Sequence, residues 1–171
     1  MKLTWFGGTT FRIHIGGRIL VARGGEAGGV VPEELLSGAD VTFSLEAGLP
    51  EVDPVLWRPR RAGAMIEEAE LPEVLVHGVA GGALVAAIAE PPLLLLTGEP
   101  VRTGRWGQEA VVVILGADIV RRSAEVLQDM RPRLIALAGE ESAVDAVFAA
   151  LRDRLEETSL VALEPAMALE V

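Results

Sequence analysis

The chain has 171 residues, half of them hydrophobic, so it can bury a sizeable core, and its length fits one domain spanning residues 1–171. A net charge of −10 and a pI near 4.7 set it against phosphate backbones and anionic membrane surfaces, which excludes nucleic acid and membranes from the expected partners. Cysteine is absent, and with it disulfides, thiolate nucleophiles and thiolate metal sites.

Met1 to Phe6 reads as a strand and lacks the basic and apolar regions of a signal peptide. No apolar run is long enough to cross a bilayer, so a soluble cytoplasmic protein is expected. Phe11, Ile13 and Ile15 alternate with Arg12 and His14 in a second strand, and Gly16-Gly17 turns it into a third, Arg18 to Ala22. Arg23 to Val31 is glycine-rich but lacks the spacing of a phosphate loop and carries Glu26, so it reads as a linker. Pro32 to Leu36 predicts a short helix with proline in its first turn, and Val41 to Ser44 a buried strand.

Pro50 to Arg61 is irregular, with Arg58, Arg60 and Arg61 beside Trp57. Such a group suits an anion, although a solvated loop with the tryptophan partly packed accounts for it more simply. Ala64–Ala69, Glu73–Val79, Ala83–Ile88, Leu93–Leu96, Val111–Leu115 and Arg133–Ala138 read as strands. Between the last two, Asp118 to Met130 predicts a helix capped by Asp118, with Ile119, Ser123, Val126, Leu127 and Met130 on one face. Ser142 to Leu155 predicts another, burying Val144, Val147, Phe148, Leu151 and Leu155 behind a capping box of Ser142 and Asp145. The tail reads as two short strands about Pro165.

Two histidines, His14 and His77, are too few for a catalytic zinc site, which takes about three protein ligands. His14 falls on the polar face of a predicted edge hairpin and is expected exposed; His77 is expected to cap or line a strand end. Ser44 has no histidine beside it in sequence and no G-x-S-x-G around it, so it reads as a strand-end hydroxyl.

The opening M-K-L-T-W-F-G-G-T-T-F-R-I followed by G-G-R-I-L-V resembles the metal-dependent hydrolase branch of the metallo-β-lactamase superfamily that includes ascorbate-6-phosphate lactonases. Thr42 to Gly48, T-F-S-L-E-A-G, is similar to the superfamily signature T-H-x-H-x-D-H with its ligands replaced. The resemblance implies that Gly8, Phe43, Leu45, Ala47 and Gly48 stand where metal ligands belong, that Glu99 replaces a bridging aspartate, and that Ala138 or Gly139 replaces the last histidine. It implies an α+β fold, a shortened four-layer αββα sandwich of two mixed sheets flanked by helices. The expected function is a non-catalytic, metal-free and cofactor-free binding module for a protein or small molecule, expected to self-associate. The alternative is a lactone or phosphodiester hydrolase with chemistry relocated to Glu46, His77 and Glu99.

Overall fold

The computed structural model describes residues 1–24, 32–45, 48–60 and 74–171. β1 (Lys2–Trp5), β2 (Phe11–Ile15) and β3 (Arg18–Arg23) form an antiparallel meander; β4 (Val41–Ser44) joins β3 in parallel, and β11 (Ala168–Glu170) pairs with β1. This sheet has the order β11-β1-β2-β3-β4. A second sheet runs β10-β9-β8-β7-β6-β5, built from β5 (Leu75–Val79), β6 (Gly82–Ala86), β7 (Leu93–Leu96), β8 (Val111–Leu115), β9 (Leu134–Ala138) and β10 (Ser159–Ala162). Its strands are parallel from β7 to β10 and antiparallel from β5 to β7.

The two sheets face each other across one apolar core. Leu3, Phe11, Ile13, Leu20 and Phe43 of the first sheet share it with Leu93, Leu95, Val111, Val113 and Ala136 of the second. The intervening residues Leu94, Leu96, Val112, Ile114, Ile135 and Leu137 point to the opposite face of the second sheet, where α2 (Ile119–Asp129) and α3 (Glu141–Leu151) cover them. Central strands buried on both faces need apolar residues at every position, which is why L-L-L-L and V-V-V-I-L carry no alternation.

The expected four-layer αββα sandwich is not formed. The described residues form an α/β protein with two mixed sheets and three α-helices, and both long helices lie on the same sheet. The reason lies in the connections: α2 joins β8 to β9 and α3 joins β9 to β10, consecutive parallel neighbours, and crossovers of one hand put both helices on one face. Among the described residues the outer face of the first sheet meets only α1 (Pro32–Leu36), whose Leu35 carbonyl accepts from Arg12 Nη1 at 2.6 Å.

Several local expectations also change. β4 is an edge strand with Val41 and Thr42 exposed, so of the predicted buried strand only Phe43 is fully buried. Asp118 does precede α2, but its backbone is left-handed (φ 55°) and its carboxylate makes no capping bond. α3 begins one residue before Ser142 and ends at Leu151, with no side-chain cap at its start, and Phe148 and Leu155 are half-buried. The predicted strand Ala64–Ala69 lies outside the described residues.

β2 is the middle strand of its sheet, so His14 is not at an edge: it sits half-buried opposite Lys2 and Ile19. Burial, then the charges of Arg12 and Lys2, lower its pKa below the ordinary 6.5. The unfolded chain therefore binds this proton more readily than the native one, so stability is full above 6.5 and is lost as pH falls from there through the lower native value. Thermal melts from neutral to mildly acid pH should show the parent losing melting temperature faster than His14→Gln. Parallel pH profiles for the two proteins would contradict this.

Candidate functional site

The described positions among those singled out by the resemblance gather at one end of the sandwich. Across the first sheet, Trp5, Phe11, Ala22 and Phe43 stand opposite one another in register, forming a continuous row. Hydrogen bonds from the Ala166 N–H to the Trp5 carbonyl (2.7 Å) and from the Leu163 N–H to the Leu137 carbonyl (2.8 Å) bring the C-terminal end of β9 to the same end. Gly8, in the turn after β1, accepts from Trp5 Nε1 at 3.0 Å; Leu45 follows β4; Gly139 follows β9; Glu99 follows β7.

The side chains at this end are apolar and packed. Phe43 and Leu45 are only 9% and 7% exposed and belong to the intersheet core with Trp5, Leu115, Ala138 and Leu163. Ala138 is itself buried, and a Cβ on Gly139 would lie 3.2 Å from Ile119 Cδ1. Gly48 is exposed with open space about it, and Ala47 and Glu46 lie outside the described residues.

Glu99, the acidic residue at this rim, faces the helices instead. Both its carboxylate oxygens accept from Arg121 on α2, at 2.8 and 2.9 Å, and Arg121 also reaches Glu125 at 2.8 Å. These bonds hold the Glu99 carboxyl below its usual range, which makes it a weaker base. Among the described residues no group of three histidines or carboxylates is placed to hold a metal ion, so the donor set does not fit the superfamily's metal centre.

The proposed relocated trio does not assemble among the described residues. His77 is on β5, paired with Leu84, which in turn pairs with Leu94 on β7; Glu99 is five residues beyond and bound to Arg121. Ser44 stands opposite Arg23 at the end of β4.

His77 instead lines a separate cavity of about 200 Å³ between the β5–β6 hairpin and the loop of residues 53–60. Trp57, Arg58, Leu75, Ala86 and Pro92 also form its wall. The loop is fixed from several sides: Trp57 meets Trp106 edge-on with ring centres 4.9 Å apart, Trp106 Nε1 donates to the Pro54 carbonyl at 2.8 Å, and the Val55 N–H donates to Asp53 Oδ1 at 2.8 Å. The arginine–tryptophan group was visible in sequence, but its pairing with His77 across the sheet was not. Arg61, the third arginine of the group, lies outside the described residues.

No protein-family model matches the chain, and no curated protein matches it. The site is therefore defined by its own geometry.

Sequence reading also passed over Arg122. It sits within the apolar stripe of α2, 3% exposed, and its guanidinium donates to the carbonyls of Leu115, Leu96 (2.9 Å) and Ala117 (3.2 Å). Burial lowers its pKa. The available signal was its position one turn after Ile119 and one before Val126, where a charge is costly unless satisfied.

Proposed function

We propose that this protein is a non-catalytic, metal-free binding protein, a degenerate relative of the metallo-β-lactamase superfamily reduced to a smaller fold. The observation that carries this reading is the burial of Phe43 and Leu45 in the intersheet core, where the resemblance puts two metal-binding histidines. Burying such side chains stabilises a fold by about 1.5 to 3 kcal/mol each, so the residues that occupy the end of the sandwich serve packing. A binding role fits the surface as well. The outer edges of β4 and β10 carry no further strand among the described residues, and a partner could add a strand at either.

Protein purified without chelator should contain no stoichiometric transition metal, and adding chelator should leave its melting temperature unchanged, because a metal bound to the native state alone would raise it. One equivalent of zinc, manganese or iron, with a lower melting temperature after chelation, would sink the reading and favour the hydrolase.

A further inference from the structure

Four large apolar side chains are exposed among the described residues, and three of them stand beside charges without partners, positive in one place and negative in the other. Val55 and Leu56 occupy the first of these places, in the loop of residues 53–60, with Leu56 73% exposed. Backbone bonds hold the loop in position: the Val52 N–H donates to the Gly78 carbonyl of β5 at 3.0 Å, the Trp57 N–H to the Asp53 carbonyl at 2.9 Å, and the Gly104 N–H to the Pro54 carbonyl at 3.1 Å. The last bond brings Val55 to Gly104, which lies between Arg102 and Arg105 in the chain. Arg58 crowds the same glycine, since a Cβ there would come within 2.8 Å of its Nη1. Arg102 and Arg105 are exposed and ion-pair with no carboxylate among the described residues, and Arg58 Nη1 bonds only the Val55 and Trp57 carbonyls. Asp53, the carboxylate of this loop, accepts from the Val55 N–H at 2.8 Å and pairs with none of the three.

Met167, 60% exposed, lies in the turn between β10 and β11, where its N–H donates to the Glu164 carbonyl at 3.1 Å. The bond from the Leu163 N–H to Leu137 sets this turn beside the end of β9, so the exposed Glu140, Glu141 and Glu164 share one rim with it. No cation among the described residues pairs with them. Arg121, which lines a pocket with Glu140, is already taken by Glu99 and Glu125. The fourth exposed apolar residue, Val41, adjoins Asp40, which Arg18 compensates at 3.0 Å.

One copy cannot bring its two charged surfaces together, because the loop is tied to β5 and the turn follows β10. These strands are the opposite edges of a six-stranded sheet, about 24 Å apart at roughly 4.8 Å per strand. In a chain of net charge −10, a patch of unpaired arginines around apolar side chains suits an acidic surface with an apolar centre, and a second copy presents one.

We propose that the surface of Val55, Leu56, Arg58, Arg102 and Arg105 docks a second copy of this chain by the acidic rim around its Met167. Leu56 meets Met167 at the centre of the contact, and the arginines meet Glu140, Glu141 and Glu164 about it. The contact is heterologous, so each pair keeps one surface of each kind unused and grows head to tail into a ring or a filament. This names a partner for the binding role proposed above and rests on it.

The test is sedimentation equilibrium over a concentration series reaching the millimolar range, in roughly 0.15 M salt, where a Debye length of about 8 Å screens the net repulsion between copies. The parent should gain mass with concentration. Leu56→Asp and Met167→Arg should each associate at least tenfold more weakly with unchanged melting temperatures, since both side chains are exposed. Arg102→Glu with Arg105→Glu tests the basic surface independently and should weaken association similarly. A mixture of Leu56→Asp with Met167→Arg retains one intact surface of each kind, so it should form a dimer of the two variants and nothing longer. A parent that stays monomeric throughout, a variant that associates as the parent does, or a mixture that stays monomeric would each overturn the inference. Metal content, measured on the same preparation, reports separately on the non-catalytic reading.

Discussion

Restoring the signature residues, Gly8→His with Phe43→His, Leu45→His, Ala47→Asp and Gly48→His, will give a protein that is less stable than its parent and does not hydrolyse lactones or phosphodiesters. Phe43 and Leu45 are core side chains, and exchanging them for imidazoles both removes packing and buries polar nitrogens, at a cost of about 2 to 5 kcal/mol for core disruption of this kind. The two glycines add backbone strain. Gly8 and Gly48 hold φ of 50° and 84°, a left-handed region that costs an L-residue roughly 1 to 2 kcal/mol. Ligands introduced there would lack the supporting hydrogen bonds that orient a metal site, so zinc should rescue stability only in part. Thermal melts with and without zinc, beside a substrate screen, test this. Tight zinc binding with turnover of any substrate would show that the packed end of the sandwich reopens, and the reading of Phe43 and Leu45 as core would fail.

A comparable loss is expected from one substitution on the helix side of the same end. Arg122→Ala should lower stability by about 3 to 5 kcal/mol, since hydrogen bonds to a charged group contribute roughly 1.5 to 3 kcal/mol each and their loss leaves buried carbonyls without a donor. For a chain of this length that corresponds to a fall in melting temperature of roughly 10 °C. The guanidinium reaches the ends of β7 and β8 together, through the carbonyls of Leu96 and Leu115. A lysine ammonium presents a point charge rather than a fork, so Arg122→Lys should recover only part of the loss, and Arg122→Met only what the apolar stem provides. Urea unfolding of the three variants orders them. If Arg122→Met matches the parent, the carbonyls need no donor and the clamp contributes nothing.

The strands were legible wherever a sheet has one wet face. F-R-I-H-I alternates because β2 buries Phe11, Ile13 and Ile15 and turns Arg12 and His14 outward. That same alternation already argues against a long apolar helix over the first sheet, since the face that offers Arg12 and His14 meets only the short α1 among the described residues. The implied four layers came from resemblance; the pattern of the residues points to three. Positions near the packed end were legible one at a time through that resemblance, yet the orientation of Glu99 toward Arg121 was not, because an exposed carboxylate has no periodicity to reveal its partner. The Trp57–His77 cavity stayed hidden for a different reason: its walls come from an irregular loop and a hairpin distant in sequence, and only the paired sheet brings them together.

The pairing of β11 with β1 sets Lys2 opposite Glu170, so the first sheet receives this border strand only after a long stretch of intervening chain. During synthesis, β1 must wait through the making of nearly everything else with its hydrogen-bonding groups facing water or a stray neighbour. Such a long-range closure slows folding through the entropy of bringing the ends together, and an unclosed border is a place where nascent chains stick to one another. A hazard of misassembly therefore sits at β1, and relief from it at β11.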